Sequence, residues 1–377
     1  MFDTAPGISS VWRSAGGDNS RRGWSDRAVR LARKPVRRLQ AQGAVQAAVV
    51  FDQAGTAFIA DMAGGVRAYA ANGKLLWSVK LAGGISATPV VHPDDRSLFV
   101  ATHTGSVYRL EAASGAVRWR RGVPSTSDPR ILSDLLHLPR ADLVVFSSWG
   151  GRFHALEAPT GQERFGWDAG LSPRAAAAGD RDENLYCLRV RSGQGAEFVR
   201  VDARGQERVF FREPEDQRGA RRALVAAAPV LDEGRAVAYV VVNQGRRGQL
   251  VAWSLKTEAT LWRQTLPAAV QATPTVLQGG EVVVADLAGS VRGFSSEGEL
   301  RFRYSTGSEY LLAGGVGQAD GTFWIGDPLG VLHAVNRRGS GAAFFEAPRS
   351  IQARLSFDPL GRLHGPCTDR LVYVFAG

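Results

Sequence analysis

Apolar and polar residues alternate along most of this chain with a period of two, and one recurring phrase carries the clearest examples. Gly64-Gly65-Val66-Arg67-Ala68-Tyr69 leads to Trp77, and Gly105-Ser106-Val107-Tyr108-Arg109-Leu110 leads to Trp119. Copies at Gly151 and Gly248 end in Trp167 and Trp262, and copies at Gly195, Gly289 and Gly330 end in Phe210, Phe302 and Phe344. A last one, Asp369-Arg370-Leu371-Val372-Tyr373-Val374, runs into the C-terminus. A helix would place apolar side chains at i, i+3, i+4 and i+7; none of these segments does. Alternation at every second residue is the mark of a strand with one face buried.

A second β-rich run precedes each phrase, as in Leu98-Phe99-Val100, Val144-Val145-Phe146 and Phe323-Trp324-Ile325. Between run and phrase stands a turn such as Asp61-x-x-Gly64, Ser148-x-x-Gly151 or Asp327-x-x-Gly330. The short acceptor side chain can bond the backbone two residues on, and glycine accepts positive φ, so these turns predict hairpins. A further strand lies upstream, with Pro89, Pro229 or Pro274 in it. Proline has no N–H to give a ladder, which suits an innermost edge strand.

Each unit therefore holds four short strands in about 40 residues, the size of one propeller blade. The expected fold is all-β: an eight-bladed β-propeller of four-stranded antiparallel blades, with its repeated aromatics on the outer strands between blades. The degenerate Gly195 copy leaves seven blades and an irregular insert as the alternative. The last phrase has no room for a fourth strand before Gly377. Val11-Trp12-Arg13 is predicted to supply it and seal the ring, with Trp12 in the repeated aromatic position. Residues 1–40 then form a closing strand and basic arm, and 41–377 the propeller.

These phrases resemble the repeat of pyrroloquinoline-quinone (PQQ) proteins; Ser106 through Gly115 and on to Trp119 is a close copy. Trp12 to Gly23 is similar to the segment that precedes the first blade in that family. The resemblance implies the propeller, and it spans two kinds of member. Quinoprotein dehydrogenases carry a vicinal Cys-Cys disulfide over the quinone, Glu and Asn ligands for calcium, and a catalytic Asp. BamB-like assembly lipoproteins are non-catalytic and bind other proteins. Here the cysteines are Cys187 and Cys367, so no vicinal pair exists, and no Asp/Glu/Asn constellation like the calcium site stands out. Residues 1–10 show neither a basic nor an apolar leader region, and no lipobox is present. Two cysteines and no stretch of 18 apolar residues fit a reducing compartment, so the expected location is cytoplasmic.

The net charge is +10, and only four of the 46 basic residues are lysines. The charge is uneven. Residues 1–40 hold Arg13, Arg21, Arg22, Arg27, Arg30, Arg33, Lys34, Arg37 and Arg38 against Asp3, Asp18 and Asp26. Such an arm can attract an acidic protein surface. Its arginines can equally pair with blade carboxylates. Nucleic acid is disfavoured, because only Trp24 interrupts the basic run and no nucleic-acid module is recognisable. A membrane surface ranks behind a protein, since Ala28, Val29, Leu31 and Ala32 make a weak apolar face. A second charged segment, Arg212 to Arg222, falls in the longest interval between phrases. The expected partner-binding residues are Arg21, Arg22, Arg27, Arg30, Arg33, Arg37, Arg38, Arg218, Arg221 and Arg222.

His92, His103, His137, His154, His333 and His364 form no H-x-x-x-H or H-E-x-x-H spacing, so neither a metal nor a cofactor is expected from sequence. His154 and His333 occupy equivalent positions in the phrase and read as strand side chains. Ser133 to Leu138 reads as a buried strand without function. No phosphate loop and no G-x-S-x-G elbow is found. The functional expectation is a non-enzymatic protein-interaction scaffold within a larger assembly. The alternative is a PQQ-dependent or other small-molecule-binding enzyme using the central funnel.

Overall fold

A computed structural model describes residues 11–123, 128–170, 176–191, 195–213, 223–224 and 226–377. They form eight antiparallel sheets and, among the described residues, no helix. The first blade runs from the inner strand Val50–Phe51 through Ala57–Ala60 and Gly65–Tyr69 to the outer strand Leu75–Lys80. Six more blades repeat that order. The Gly195 copy is a full blade with strands of seven residues, so the ring has eight blades and no insert in place of one. The fifth blade adds a short strand, Ala223–Leu224, beside its second strand.

The predicted turn chemistry closes the hairpins. Asp61 Oδ1 accepts from the N–H groups of Ala63 (2.9 Å) and Gly65 (3.0 Å), while Gly64 sits at φ +82°. Asp286 and Asp327 make the same pair of bonds. The polar residue inside the phrase then bonds this acceptor. His333 Nε2 lies 3.0 Å from Asp327 Oδ2, His154 Nε2 lies 3.0 Å from Ser148 Oγ, and Tyr373 donates to Asp369 Oδ2. His154 and His333 are thus buried strand side chains, as expected, that bond the turns.

The repeated aromatics bridge blades. Trp77 Nε1 donates to Ala112 O (2.8 Å), Trp119 Nε1 to Ala158 O (3.0 Å) and Trp262 Nε1 to Ser296 O (2.7 Å), each acceptor being one blade on. At these three junctions a large half-buried ring and one directional bond fix the angle between neighbouring sheets.

The ring is sealed from the N-terminal side, but not by Val11-Trp12-Arg13. The eighth blade is completed by Arg37–Gln40, which pairs antiparallel with Leu371–Phe375. In this register Arg37 faces Val374 and takes the place of the repeated aromatic. Its Nη1 donates to Ala71 O (2.9 Å), the same kind of next-blade loop carbonyl that the tryptophans use. Aromatic matching alone points to Trp12; a guanidinium can reach the same acceptor, and Leu39 supplies the buried apolar contact.

Trp12 starts a different structure. From Trp12 to Ser25 the chain runs along the inner strands and takes hydrogen bonds from them in ring order. Phe51 N–H donates to Trp12 O (2.8 Å), Val91 to Arg13 O (2.9 Å), Gly179 to Asn19 O (2.8 Å) and Leu231 to Ser20 O (2.9 Å). Val276 then donates to Arg22 O (2.9 Å) and Gly317 to Gly23 O (2.8 Å). The inner edge of each blade would otherwise present unpaired backbone to the channel. The Trp12 indole is 1% exposed and meets Phe357 edge-on at 5.9 Å between centroids.

Strong acid should weaken the eighth blade. Burial opposes ionisation of Asp358, but bonds from His364 and Arg362 bring its carboxyl down to about 2. Burial likewise lowers the proton affinity of His364, with Asp358 pulling the other way. Asp358 therefore stabilises above its unfolded value near ~3.9, and that contribution is lost as pH falls through about 2. Asp358→Asn, whose amide oxygen can still accept from Leu360 and Arg362 N–H, should cost about 2 kcal/mol at pH 7. Urea unfolding of both forms should show this gap closing between about pH 4 and pH 2; a gap constant across that range would contradict the assignment.

Candidate functional site

The basic arm is not one exposed element, and its arginines do three different jobs. Arg21 is 1% exposed, with φ +59°. Its Nε donates to Ala177 O (2.6 Å), its Nη2 to Asp134 O (3.2 Å), and its Nη1 lies 3.8 Å from Asp134 Oδ2. A side chain so enclosed cannot meet a partner, which removes it from the expected set for a steric reason. Arg22 is half-buried over Trp24, at 5.3 Å from the ring centroid. Arg37 bridges blades as described, and Arg27 is half-buried.

Arg30, Arg33, Lys34 and Arg38 are exposed. They are held on the flank of the eighth blade by backbone bonds from Ala32 N–H to Ala376 O and from Val36 N–H to Val374 O, both 2.8 Å. None of the four has an ion-pair partner among the described residues, and Arg38 also lies 5.8 Å over the Tyr373 ring. Arg218, Arg221 and Arg222 lie outside the described residues.

The other candidate is the central funnel, a space of about 500 Å³ with Asp134 and Arg354 at its floor, both resting on Arg21 of the arm. Its wall comes from the residues just before each inner strand: Gln46, Ser86, Thr88, Leu132, Asp134, Ala176, Ala226, Ala228, Gln271, Thr273, Gln352 and Arg354 among them. Arg354 reaches across the axis, its Nη2 donating to Arg21 O and Pro274 O, both at 3.3 Å. Burial, and then the neighbouring Arg21, bring the Arg354 guanidinium down to about 10. Burial lowers Arg21 as well, against the pull of Asp134. Asp134, and after it Asp18, pull both guanidiniums the other way.

That donor set does not fit a calcium–quinone site. Among the described lining residues Asp134 is the one carboxylate, and it accepts from Thr88 N–H (2.8 Å) while facing Arg21. Cys187 and Cys367 lie in the fourth and eighth blades, both free and buried. Burial pushes each thiol up to about 12, so neither is a thiolate near neutrality.

Sequence spacing missed one cluster. His92, His137 and Asp142 come from two blades and converge on the arm side of the ring. No local pattern announces them, because 45 residues and a blade boundary separate the two histidines.

The sequence model of a family described as outer membrane protein assembly factor BamB matches residues 8–213 and 181–343. The chain belongs to this PQQ-repeat propeller family. No curated protein sequence matches it. Among solved structures, the family's ring is similar to BamB from Moraxella catarrhalis, with a TM-score of 0.70 and 18% identity over 91% of this chain and 97% of that one. It is similar also to the computationally designed Ika8 protein, with a TM-score of 0.66 and 13% identity over 91% and 100%. A europium-containing methanol dehydrogenase follows at 0.61 and 11%, over 88% and 89%. At these identities the likeness is one of fold. It joins a BamB, a designed protein and a dehydrogenase, so the site must decide the function.

Proposed function

We propose that this BamB-family propeller is a non-enzymatic scaffold that binds another protein with an acidic surface, as a subunit of a larger assembly. The observation that carries this reading is the fixed block of four exposed cations, Arg30, Arg33, Lys34 and Arg38, with no ion-pair partner among the described residues. A solvated arm would pair its charges with blade carboxylates or hang free. This one is pinned at both ends and faces outward, which gives a partner a preset surface and little ordering entropy to lose. The funnel wall is mostly alanine, amide and hydroxyl side chains, and its one histidine among the described lining residues, His103, has its Nε2 2.7 Å from Ser86 Oγ.

The test has to spare the structural arginines. Deleting the arm would remove both the Arg21 support of the floor and the sealing strand, so charge substitution is the right tool. A variant with Arg30, Arg33, Lys34 and Arg38 all changed to alanine should keep its melting temperature. It should bind the partner recovered by the unaltered protein with a rate constant on the order of 10-fold lower at low salt. The difference should shrink as salt rises. Equal association at low salt would dismiss the arm as the binding surface. Saturable uptake of quinone and calcium with an absorbance change would favour the enzyme instead.

A further inference from the structure

We propose that His92, His137 and Asp142 form a binding site for one zinc-type divalent ion, at the junction of the second and third blades on the arm side of the ring. His92 stands in the turn after the inner strand Val90–Val91, His137 lies within the inner strand Leu136–Leu138, and Asp142 sits in the turn that follows. His92 Nε2 is 3.1 Å and His137 Nε2 2.9 Å from the same atom, Asp142 Oδ1. A tetrahedral ion with ligands at about 2.0–2.1 Å spaces them about 3.3 Å apart, so the two histidine–carboxylate spacings need to open by only a few tenths of an ångström, and all three donors already lie within 4.8 Å of one another.

The surroundings orient the donors toward that point. His92 Nδ1 is 2.7 Å from Asp94 Oδ1, a carboxylate behind the ring of the kind that directs the other nitrogen to a metal. His92 Nε2 faces the Asp142 carboxylate, and an ion bound there takes the place of the proton the two groups share. His137 is 3% exposed and stacks on Phe99 at an interplanar angle of 7°, which leaves its ring little freedom. Asp142 holds φ +51° at the end of its turn, as the non-glycine residues Asp95, Glu183 and Ala236 do in the turns of other blades, so the turn fixes the backbone from which its carboxylate projects.

The chemistry selects the ion. Two imidazoles and one carboxylate suit zinc and its neighbours, whereas magnesium and calcium require oxygen shells. Three protein ligands leave the fourth position for water. Asp142 is 39% exposed and the site borders a cleft lined by Asn19, Pro139, Arg140 and Glu183, so the ion has an entry path.

The full chain, stripped with a chelator, should bind one equivalent of Co²⁺ and develop the visible d–d absorption of a low-coordinate site, which Zn²⁺ should then abolish by displacement. Millimolar Mg²⁺ or Ca²⁺ should leave it unchanged. Asp142→Asn, which tolerates the left-handed turn, and His92→Gln should each weaken Co²⁺ binding on the order of 100-fold or more while melting as the unaltered protein does. His137 is buried, so these two variants rather than one at His137 carry the test. The absence of a Co²⁺ spectrum in the unaltered chain would overturn the site. So would an unchanged spectrum in both variants, since the ion would then be bound elsewhere.

Discussion

Replacing Trp12 by alanine should destabilise the propeller by about 3–5 kcal/mol, the range for removing a large buried aromatic from a packed interior. The indole fills the space between Phe357 and the first and eighth blades, and its neighbours are strand residues that cannot collapse inward without bending the ring. The same substitution frees the start of the segment whose carbonyls accept from Phe51 and Val91. Urea unfolding would measure the loss as a lower midpoint with an unchanged slope. Trp12→Phe should be much milder. The indole Nε1–H is buried and finds no acceptor among the described residues, so phenylalanine keeps most of the volume and removes that donor. If alanine cost no more than phenylalanine, the segment from Trp12 to Ser25 would not be a structural element, and the arm would be free to act as one exposed surface.

The second large effect belongs to the fourth blade. Glu197 is fully buried and receives Arg189 Nε at 2.8 Å and Arg212 Nε at 2.7 Å, with Arg191 Nε at 3.7 Å. Burial opposes its charge, yet these guanidiniums hold it below the ordinary carboxylate range. Arg189 is equally enclosed, and its remaining carboxylate is Glu207 at 2.6 Å. Glu197→Ala should therefore cost about 3–5 kcal/mol, because it leaves a desolvated guanidinium half-paired. The double variant Arg189→Leu, Glu197→Leu should recover most of that loss, since Arg191, Arg212 and Glu207 are partly exposed and can turn to water. A double variant as unstable as the single one would mean that the pair contributes more than its own neutralisation. Denaturant titration of the three proteins at one pH decides between the two.

This ion cluster also explains why the Gly195 copy looks degenerate. Its phrase carries Glu197 and Arg200 where other copies are apolar or aromatic, and its strands are longer. The blade still forms, because Phe198, Tyr186 and Phe210 pack together and Trp253 of the fifth blade closes over Phe210 and Phe211. Pattern matching penalises the copy for its charges; folding does not, once each charge has a counter-charge within reach.

What the chain alone determined is the set of contacts made between near neighbours. Alternation, Asp-x-x-Gly turns and a recurring aromatic act within about 40 residues, so eight blades and their strand order could be read in line. Contacts between residues 37 and 374, 12 and 51, or 21 and 134 carry no periodic signature, and only the closed ring brings them together. That is why Arg37 rather than Trp12 seals the last blade, why Arg21 is enclosed while Arg30, Arg33, Lys34 and Arg38 remain exposed, and why two histidines and an aspartate meet at a blade junction. A local pattern fixes which face of a strand is buried. Which distant groups then share that burial is settled by closure of the circle, because all eight inner edges must find partners at a single axis.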